Sequence, residues 1–243
     1  MAQNIYDDPE FFAKYAGLPR SVEGLGAAYE WPVFRALLPD VAGKSVLDLG
    51  CGTGALARRL RELGAARVLG IDVSVRMLAE AQIRTADLAI LYHRSTIEAI
   101  GADMGPFDLV VSSLALHYVA DFASVCRAVA RLLAPGGTVV FSVEHPMFTA
   151  RAEQDWCVDG KTSRHYWPVE NYADEGLRQT NWLGSPVHKY HRTVATYGNA
   201  LIDAGFRIRR LEEPVPSHAF LDAKGAPAYE RNRPLFLLIS AAR

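Results

Sequence analysis

The chain has 243 residues, 50% of them apolar and 22% charged, and its 26 basic and 27 acidic side chains leave a formal net charge of −1. That balance suits one large α/β domain with a substantial core, and it provides no basic surplus for a nucleic acid or an anionic membrane. Three cysteines, Cys51, Cys126 and Cys157, are odd in number and widely spaced, against a disulfide framework or a zinc site.

Residues 1–43 read as a helical preamble in which Pro9, Pro19, Pro32 and Pro39 set the boundaries. Its first stretch, MAQNIYDDPEFFAKYAG, is acidic and amphipathic and lacks the apolar centre of a signal peptide. No apolar run approaches the length of a membrane span, so the expected location is the cytoplasm. From Lys44 strands and helices alternate: strand 45–49, helix 55–63, strand 67–71, helix 74–85, strand 88–93, a short helical turn at 96–100 and strand 107–112. Phe122, Val125, Val129, Leu132 and Leu133 then make one apolar helical face. Pro135-Gly136-Gly137 is expected to stop that helix and lead into a strand at 138–143. Near-continuous apolar strands between helices predict a parallel sheet covered on both faces.

The alternation lapses after His145-Pro146. Residues 147–190 have no clear period yet hold Trp156, Trp167 and Trp182 with Tyr166, Tyr172 and Tyr190. A disordered linker would be poor in aromatics, so an ordered insertion is expected. A helix at 193–204, closed by Gly205, and strands at 206–212 and 235–241 complete the chain.

The stretch VLDLGCGTGA (46–55) joins the first strand to the first core helix through Gly50, Cys51, Gly52, Thr53 and Gly54. Such a turn brings backbone N–H groups and a helix N-terminus up to a nucleotide. GCGTGA satisfies the dinucleotide pattern G-x-G-x-x-G/A. Asp72 ends the second strand about twenty residues later, where a carboxylate accepts hydrogen bonds from ribose hydroxyls. NAD and S-adenosylmethionine both carry that ribose, so Asp72 does not separate them. Asp48 favours the second, because its charge repels a pyrophosphate and suits an ammonium and a sulfonium; a loop-capping role for it is the alternative.

VLDLGCGTG, GIDVS, FDLVVSSLALHYV and LLAPGGTVVFS, in this order and spacing, resemble the class I S-adenosylmethionine-dependent methyltransferases, most closely the small-molecule enzymes of the ubiquinone/menaquinone-biosynthesis type. The resemblance spans residues 43–145 most clearly. It implies a Rossmann-like three-layer α/β sandwich: a seven-stranded, mostly parallel sheet with an antiparallel last strand. A helical N-terminal lid and an insertion after strand five complete the expected architecture. One domain, 1–243, is expected, with lid 1–43, cofactor-binding core 44–145 and 191–243, and substrate cap 146–190.

The resemblance also implies S-adenosylmethionine as cofactor, S-adenosylhomocysteine as product and a small-molecule methyl acceptor. Gly50, Cys51 and Gly52 would line the methionine moiety and Asp72, followed by Val73, the ribose. Met77 is then a candidate wall of the adenine pocket. Relatives usually carry an acid for the adenine amino group after the third strand; here Thr96 stands in its place, the backbone of Ile97 could serve the ring, and Glu98 follows on an exposed turn. In the preamble, Tyr6, Tyr15, Arg20 and Tyr29 are candidates to close over the cofactor, with Arg20 at the methionine carboxylate.

Sites on parallel sheets form at strand carboxyl ends. SSLALHYV after strand four presents Ser113, Leu114, His117 and Tyr118, and SVEHP after strand five presents Glu144 and His145. His117 and His145 are the candidate catalytic residues, because a hydroxyl, phenol or protonated amine acceptor must lose a proton. His117 is equally readable as a packed histidine at a helix start, whereas His145, at the end of a buried strand just before the insertion, favours the site. Tyr190, His191 and Arg192 are candidates where the chain re-enters the sheet. The remaining histidines lack ligand spacing, so no metal is expected. The aromatic insertion is expected to cover the acceptor pocket, or else to serve as a scaffold or homodimer contact. An NAD(P)-dependent oxidoreductase and a non-catalytic cofactor-binding protein stay open as alternatives.

Overall fold

The computed structural model describes residues 3–243. Parity along the strands organises it. In β1 (Ser45–Leu49), Val46 packs to one side of the sheet and Leu47 and Leu49 to the other; in β4 (Phe107–Ser113), Leu109 and Val111 oppose Val110. The same alternation runs through Val139, Val140 and Phe141 of β5 (Leu133–Glu144) and Leu237, Leu238 and Ile239 of β11 (Phe236–Ala242). Strands apolar on both faces need cover on both. Helices α3 (Trp31–Leu37) and α4 (Ala55–Glu62) bury Phe34, Leu56 and Leu60 against one face. Helices α6 (Phe122–Leu132) and α8 (Val194–Asp203) bury Phe122, Val129, Tyr197 and Leu201 against the other.

With β2 (Arg67–Asp72), β3 (Ile90–Arg94) and β10 (Arg207–Glu212), the sheet has seven strands in the order β10-β11-β5-β4-β1-β2-β3. Only β11 runs antiparallel, to both β5 and β10. The chain steps outward from β1 to β3, then returns to lay β4 and β5 on the other side of β1. That reversal opens a crevice at the carboxyl ends of β1 and β4. This is the expected Rossmann-like sandwich.

The N-terminal prolines start helices. Pro9 and Pro19 open α1 (Pro9–Ala16) and α2 (Pro19–Glu23), and Pro32 occupies the first turn of α3, where the missing N–H costs nothing. Ser74 caps α5 (Val75–Ile83) by accepting from the Met77 N–H at 3.1 Å.

Three details differ from the sequence reading. Pro135-Gly136-Gly137 lies inside β5 as an irregularity, since pairing with β4 skips from Phe107↔Leu133 to Leu109↔Thr138. The insertion is regular: a short helix α7 (Pro146–Thr149), a small hairpin of β6 (Cys157–Val158) and β7 (His165–Tyr166), and a longer one of β8 (Gly176–Trp182) and β9 (Ser185–His191). The third is α9 (His218–Lys224), between β10 and β11, capped by Ser217 and closed by Gly225 in the left-handed conformation. No helix among the described residues is long and apolar enough to cross a membrane.

Candidate active site

Three glycines of the turn after β1 take positive φ, but for different reasons. A Cβ on Gly50 would lie 2.3 Å from the Ala115 Cβ, and one on Gly54 would lie 2.0 Å from the Tyr92 hydroxyl. Those two positions are glycine because the protein itself fills the space. A Cβ on Gly52 would meet nothing within 4 Å; its open side belongs to a cavity of about 400 Å³. The Gly52 N–H donates to Asp72 Oδ2 at 2.9 Å, and the Ser74 N–H to Asp72 Oδ1 at 2.9 Å. Asp72 therefore pins the turn against the end of β2 while its carboxylate lines the cavity. Burial raises its pKa despite those N–H partners.

The cavity follows the strand ends in spatial order. On the β1–β3 side lie Gly50, Gly52, Asp72, Val73, Met77, Thr96, Ile97 and the exposed Glu98. Arg20 and Tyr15 reach in from the N-terminal helices. The Arg20 guanidinium pairs with buried Glu30 and donates to Ser113 Oγ at 2.9 Å. Leu114 lines the floor with φ at 57°, in the left-handed region, its N–H held by the Ser142 carbonyl at 3.0 Å. Such backbone strain in a non-glycine residue concentrates at functional sites.

On the β4–β5 side the lining changes character. Tyr6, Tyr118, Phe148 and Trp182 supply rings, and His117, Glu144, Gln154 and Lys189 supply polar atoms. Lys189 donates to Glu144 Oε1 at 2.7 Å and to Gln154 Oε1 at 3.4 Å, with only 2% of its side chain exposed. Burial is the largest single influence on the Glu144 carboxyl and raises it, but the Lys189 ammonium and the hydrogen bonds from Lys189 and Gln154 act against it, and the net shift is downward. His117 Nδ1 accepts the Glu144 backbone N–H at 3.3 Å, which places the proton of the neutral ring on Nε2. Burial pushes the His117 pKa down to about 4, Glu144 opposing and Lys189 and Arg192 reinforcing. His117 is thus a neutral Nε2–H donor at physiological pH.

Three of the expected site residues stand outside the cavity lining. His145 turns away: its Nδ1 accepts the Met147 N–H at 3.0 Å, capping α7, and its Nε2 meets Glu213 Oε1 at 2.7 Å. One step of strand parity gives the cavity to Glu144 instead. Cys51 is buried beneath the turn beside Gly70, and Asp48 is buried below it. Neither Asp48 carboxylate oxygen has a hydrogen-bond partner. Burial, then the charge of Asp72, lifts the Asp48 pKa to about 8.

Among the other candidates, Tyr29 packs on Phe220 and Phe236. His191 is fully buried between Thr149 and the Tyr172 carbonyl, and Arg192 holds the Val119 and Ala120 carbonyls. Trp182 belongs to the aromatic insertion expected to cover the pocket, whereas Lys189, Gln154 and Phe148 also line the cavity and are not among the expected site residues. In the structure Val187, Lys189 and His191 alternate with more exposed residues along β9 and are buried, an alternation that the residue types by themselves do not display. No cluster of His, Cys, Asp and Glu suited to a metal occurs among the described residues.

A seven-stranded sheet that reverses at β1/β4 and carries an antiparallel β11, with a glycine turn open at Gly52 and an acid at the end of β2, matches the class I S-adenosylmethionine-dependent methyltransferase architecture. Comparison with known proteins agrees. A family described as a methyltransferase domain matches residues 47–141. An S-adenosylmethionine-dependent methyltransferase from Mesorhizobium loti, solved by crystallography, is 47% identical, with 90% of this chain and 100% of that one covered and a TM-score of 0.84. An uncharacterized protein of Haemophilus influenzae is 36% identical over 219 residues, 87% of this chain and 86% of its own length. A ubiquinone biosynthesis O-methyltransferase of Albidiferax ferrireducens is 43% identical over 157 residues, which span 61% of that enzyme. The chain belongs to the S-adenosylmethionine-dependent methyltransferases, and its cofactor is S-adenosylmethionine. That membership settles the choice left open at the glycine turn against a nicotinamide cofactor.

The residues present fit this cofactor. Gly52 leaves open the space a side chain would take. The unpartnered, buried carboxyl of Asp48 lies under the same turn, where a cationic, phosphate-free ligand compensates it.

Proposed function

We propose that the protein transfers the methyl group of S-adenosylmethionine to a small-molecule acceptor held on the β4–β5 side of the cavity. Asp72 and Val73 hold the ribose, Gly50 and Gly52 approach the methionine moiety, and Met77, Thr96 and Ile97 wall the adenine. Arg20 and Ser113 meet the methionine carboxylate, with Tyr15 closing over them. The cofactor supplies an electrophilic methyl carbon on a sulfonium. The chain's own contribution is alignment for in-line displacement and exclusion of water. The N-terminal segment serves that exclusion as a lid, with Tyr6 lining the cavity. Gln3 exchanges two hydrogen bonds with β9, at Pro186 O and His188 N. Asp7 accepts from Ser74 Oγ and the Arg76 N–H at the start of α5. The insertion serves as the acceptor cap through Phe148, Gln154, Trp182 and Lys189.

The observation that carries this reading is one continuous cavity running from the ends of β3 and β2, past β1, to β4 and β5. The test is calorimetric titration with S-adenosylmethionine and S-adenosylhomocysteine, followed by a turnover screen over small molecules. The expected result is stoichiometric binding of both and methylated product. Absence of binding overturns the reading.

A further inference from the structure

We propose that Glu144 and His117 together form the acceptor-activating pair, with Glu144 taking the proton and the His117 Nε2–H holding the reacting atom, and that the acceptor is an aromatic hydroxyl compound. This rests on the methyl-transfer reading above. The two residues end β5 and follow β4, on the far side of β1 from Asp72 and Thr96, and both line the same cavity. The His117 Nδ1 lone pair is taken by the Glu144 N–H, and Nε2 makes no hydrogen bond among the described residues. Its remaining function toward a ligand is donation. Glu144 has the opposite character: it is ionised beside Lys189, further bound by Gln154, and can only accept. Tyr118, Arg192, Tyr197 and Arg233 are the other titratable and charged groups around this pair. Tyr118 stays protonated under burial, its hydroxyl 3.2 Å from that of Tyr6.

Counting lone pairs identifies the acceptor atom. A hydroxyl oxygen has two lone pairs and one proton. One pair accepts from His117 Nε2, the proton goes to Glu144, and the second pair attacks. A neutral amine has a single lone pair, which cannot both accept from His117 and attack. A carboxylate has no proton for Glu144 and meets it as a like charge. In the balanced step, an oxygen lone pair forms the new C–O bond, the C–S bond breaks with its electron pair returning to sulfur, and the hydroxyl proton ends on a Glu144 oxygen. Glu144 is a weak base because Lys189 stabilises its charge. A phenolic hydroxyl, far more acidic than an alcohol, is the better matched donor. The rings of Tyr6, Tyr118, Phe148 and Trp182 supply walls for a flat apolar body.

The experiment uses the full chain and ring-matched probes: phenol with aniline and benzoate, catechol with 1,2-diaminobenzene, and 2-naphthol with 2-naphthylamine and 2-naphthoate. Demethylated cofactor and methylated product are both quantified, and cofactor affinity is read separately by calorimetry. The expected result is methylation of at least one hydroxyl probe, at least tenfold faster than its amine or carboxylate twin. For that probe, Glu144→Gln lowers kcat about 100-fold and leaves cofactor affinity within twofold. Its rate then climbs tenfold per pH unit towards the ionisation of the phenol itself, a slope that wild type lacks. Should Glu144→Gln alone fail to fold, the Glu144→Gln/Lys189→Met double variant, in which neither charge is left unpaired, shows the same slope. The inference is overturned if the cofactor binds while no hydroxyl probe is methylated, if an amine or carboxylate twin is the faster, or if the folded variant keeps the wild-type pH profile. Loss of cofactor binding in wild type instead strikes the methyl-transfer reading.

Discussion

The two halves of the cavity are built by different means. The half over β1–β3 is made by backbone and short polar groups from consecutive strand-to-helix turns, each pinned to the next: Asp72 holds Gly52, and Ser74 caps the helix that follows. The half over β4–β5 is assembled from side chains far apart in sequence, such as Tyr6 against Tyr118 and Glu144 against Lys189. The first half depends on conformation that a few residues determine locally. The second depends on three segments arriving at one place, so it can be loosened without disturbing the first.

Substitutions that separate the halves follow from this. The largest effect is expected for Gly50→Ala, which adds positive-φ strain to the 2.3 Å clash with Ala115. A loss of roughly 3 kcal/mol or more is expected, read by denaturant unfolding, with cofactor binding lost as well. Gly52→Ala sets the contrast. Its φ is also positive but its Cβ meets nothing, so it costs about 1–2 kcal/mol of stability and its main effect is on cofactor affinity.

Asp72→Ala removes the acceptor of two backbone N–H groups. Calorimetry should show a loss of cofactor affinity of about 1.5–3 kcal/mol; unchanged affinity would place the ribose elsewhere.

On the β4–β5 side, Arg233 lies 4.3 Å from the ring centre of Trp167, 4.9 Å from Phe148 and 5.2 Å from Trp156, fastening the insertion to the approach to β11. Arg233→Ala should lower stability by about 2 kcal/mol and raise KM for the acceptor. Cofactor affinity should stay unchanged, and a loss of it would deny the independence of the halves.

The glycine turn also carries a pH dependence. Asp48 has a pKa near 8 in the folded protein and about 4 when unfolded. The folded state therefore holds its proton more tightly. Stability of the protein without cofactor is full below about pH 4 and falls as pH rises towards 8. Asp48→Asn should flatten that decline in thermal melts between pH 5 and 8. Binding of a cationic ligand favours the ionised carboxyl, so wild type should release a proton on binding at pH 7 and Asp48→Asn should not; calorimetry in buffers of different ionisation enthalpy reads the difference.

Legibility in the sequence divides along the same line. The core strands were readable because alternating burial leaves an apolar run between glycine and proline punctuation, and Gly50, Gly52, Asp72, Met77 and Thr96 were readable because each sits at a fixed step from a strand end. The β8–β9 hairpin was not. Its two-residue turn, Leu183-Gly184, takes φ of 55° and 80°, and leucine is an unusual choice for a position where asparagine or glycine is the ordinary signal. Helix α9 went unread although Ser217 and Gly225 bracket it. At the end of β5 the two neighbours Glu144 and His145 were both in view, but no pattern in SVEHP says which of them faces inward.

The sequence by itself determined the order of the core strands and helices, the glycine turn and the acid at the end of β2, because those features arise from local backbone preference and from the period of burial. Tertiary structure alone decided the β4–β5 side of the cavity. Whether Glu144 or His145 enters the cavity is set by where β11 meets the end of β5, with the Leu235 carbonyl accepting the His145 N–H at 2.9 Å and Phe236 paired to Glu144. Lys189 became its partner only when a hairpin 45 residues further along the chain folded back over it. A buried charge is tolerable only beside its counter-charge, and that pairing exists in space before it can be seen in the order of residues.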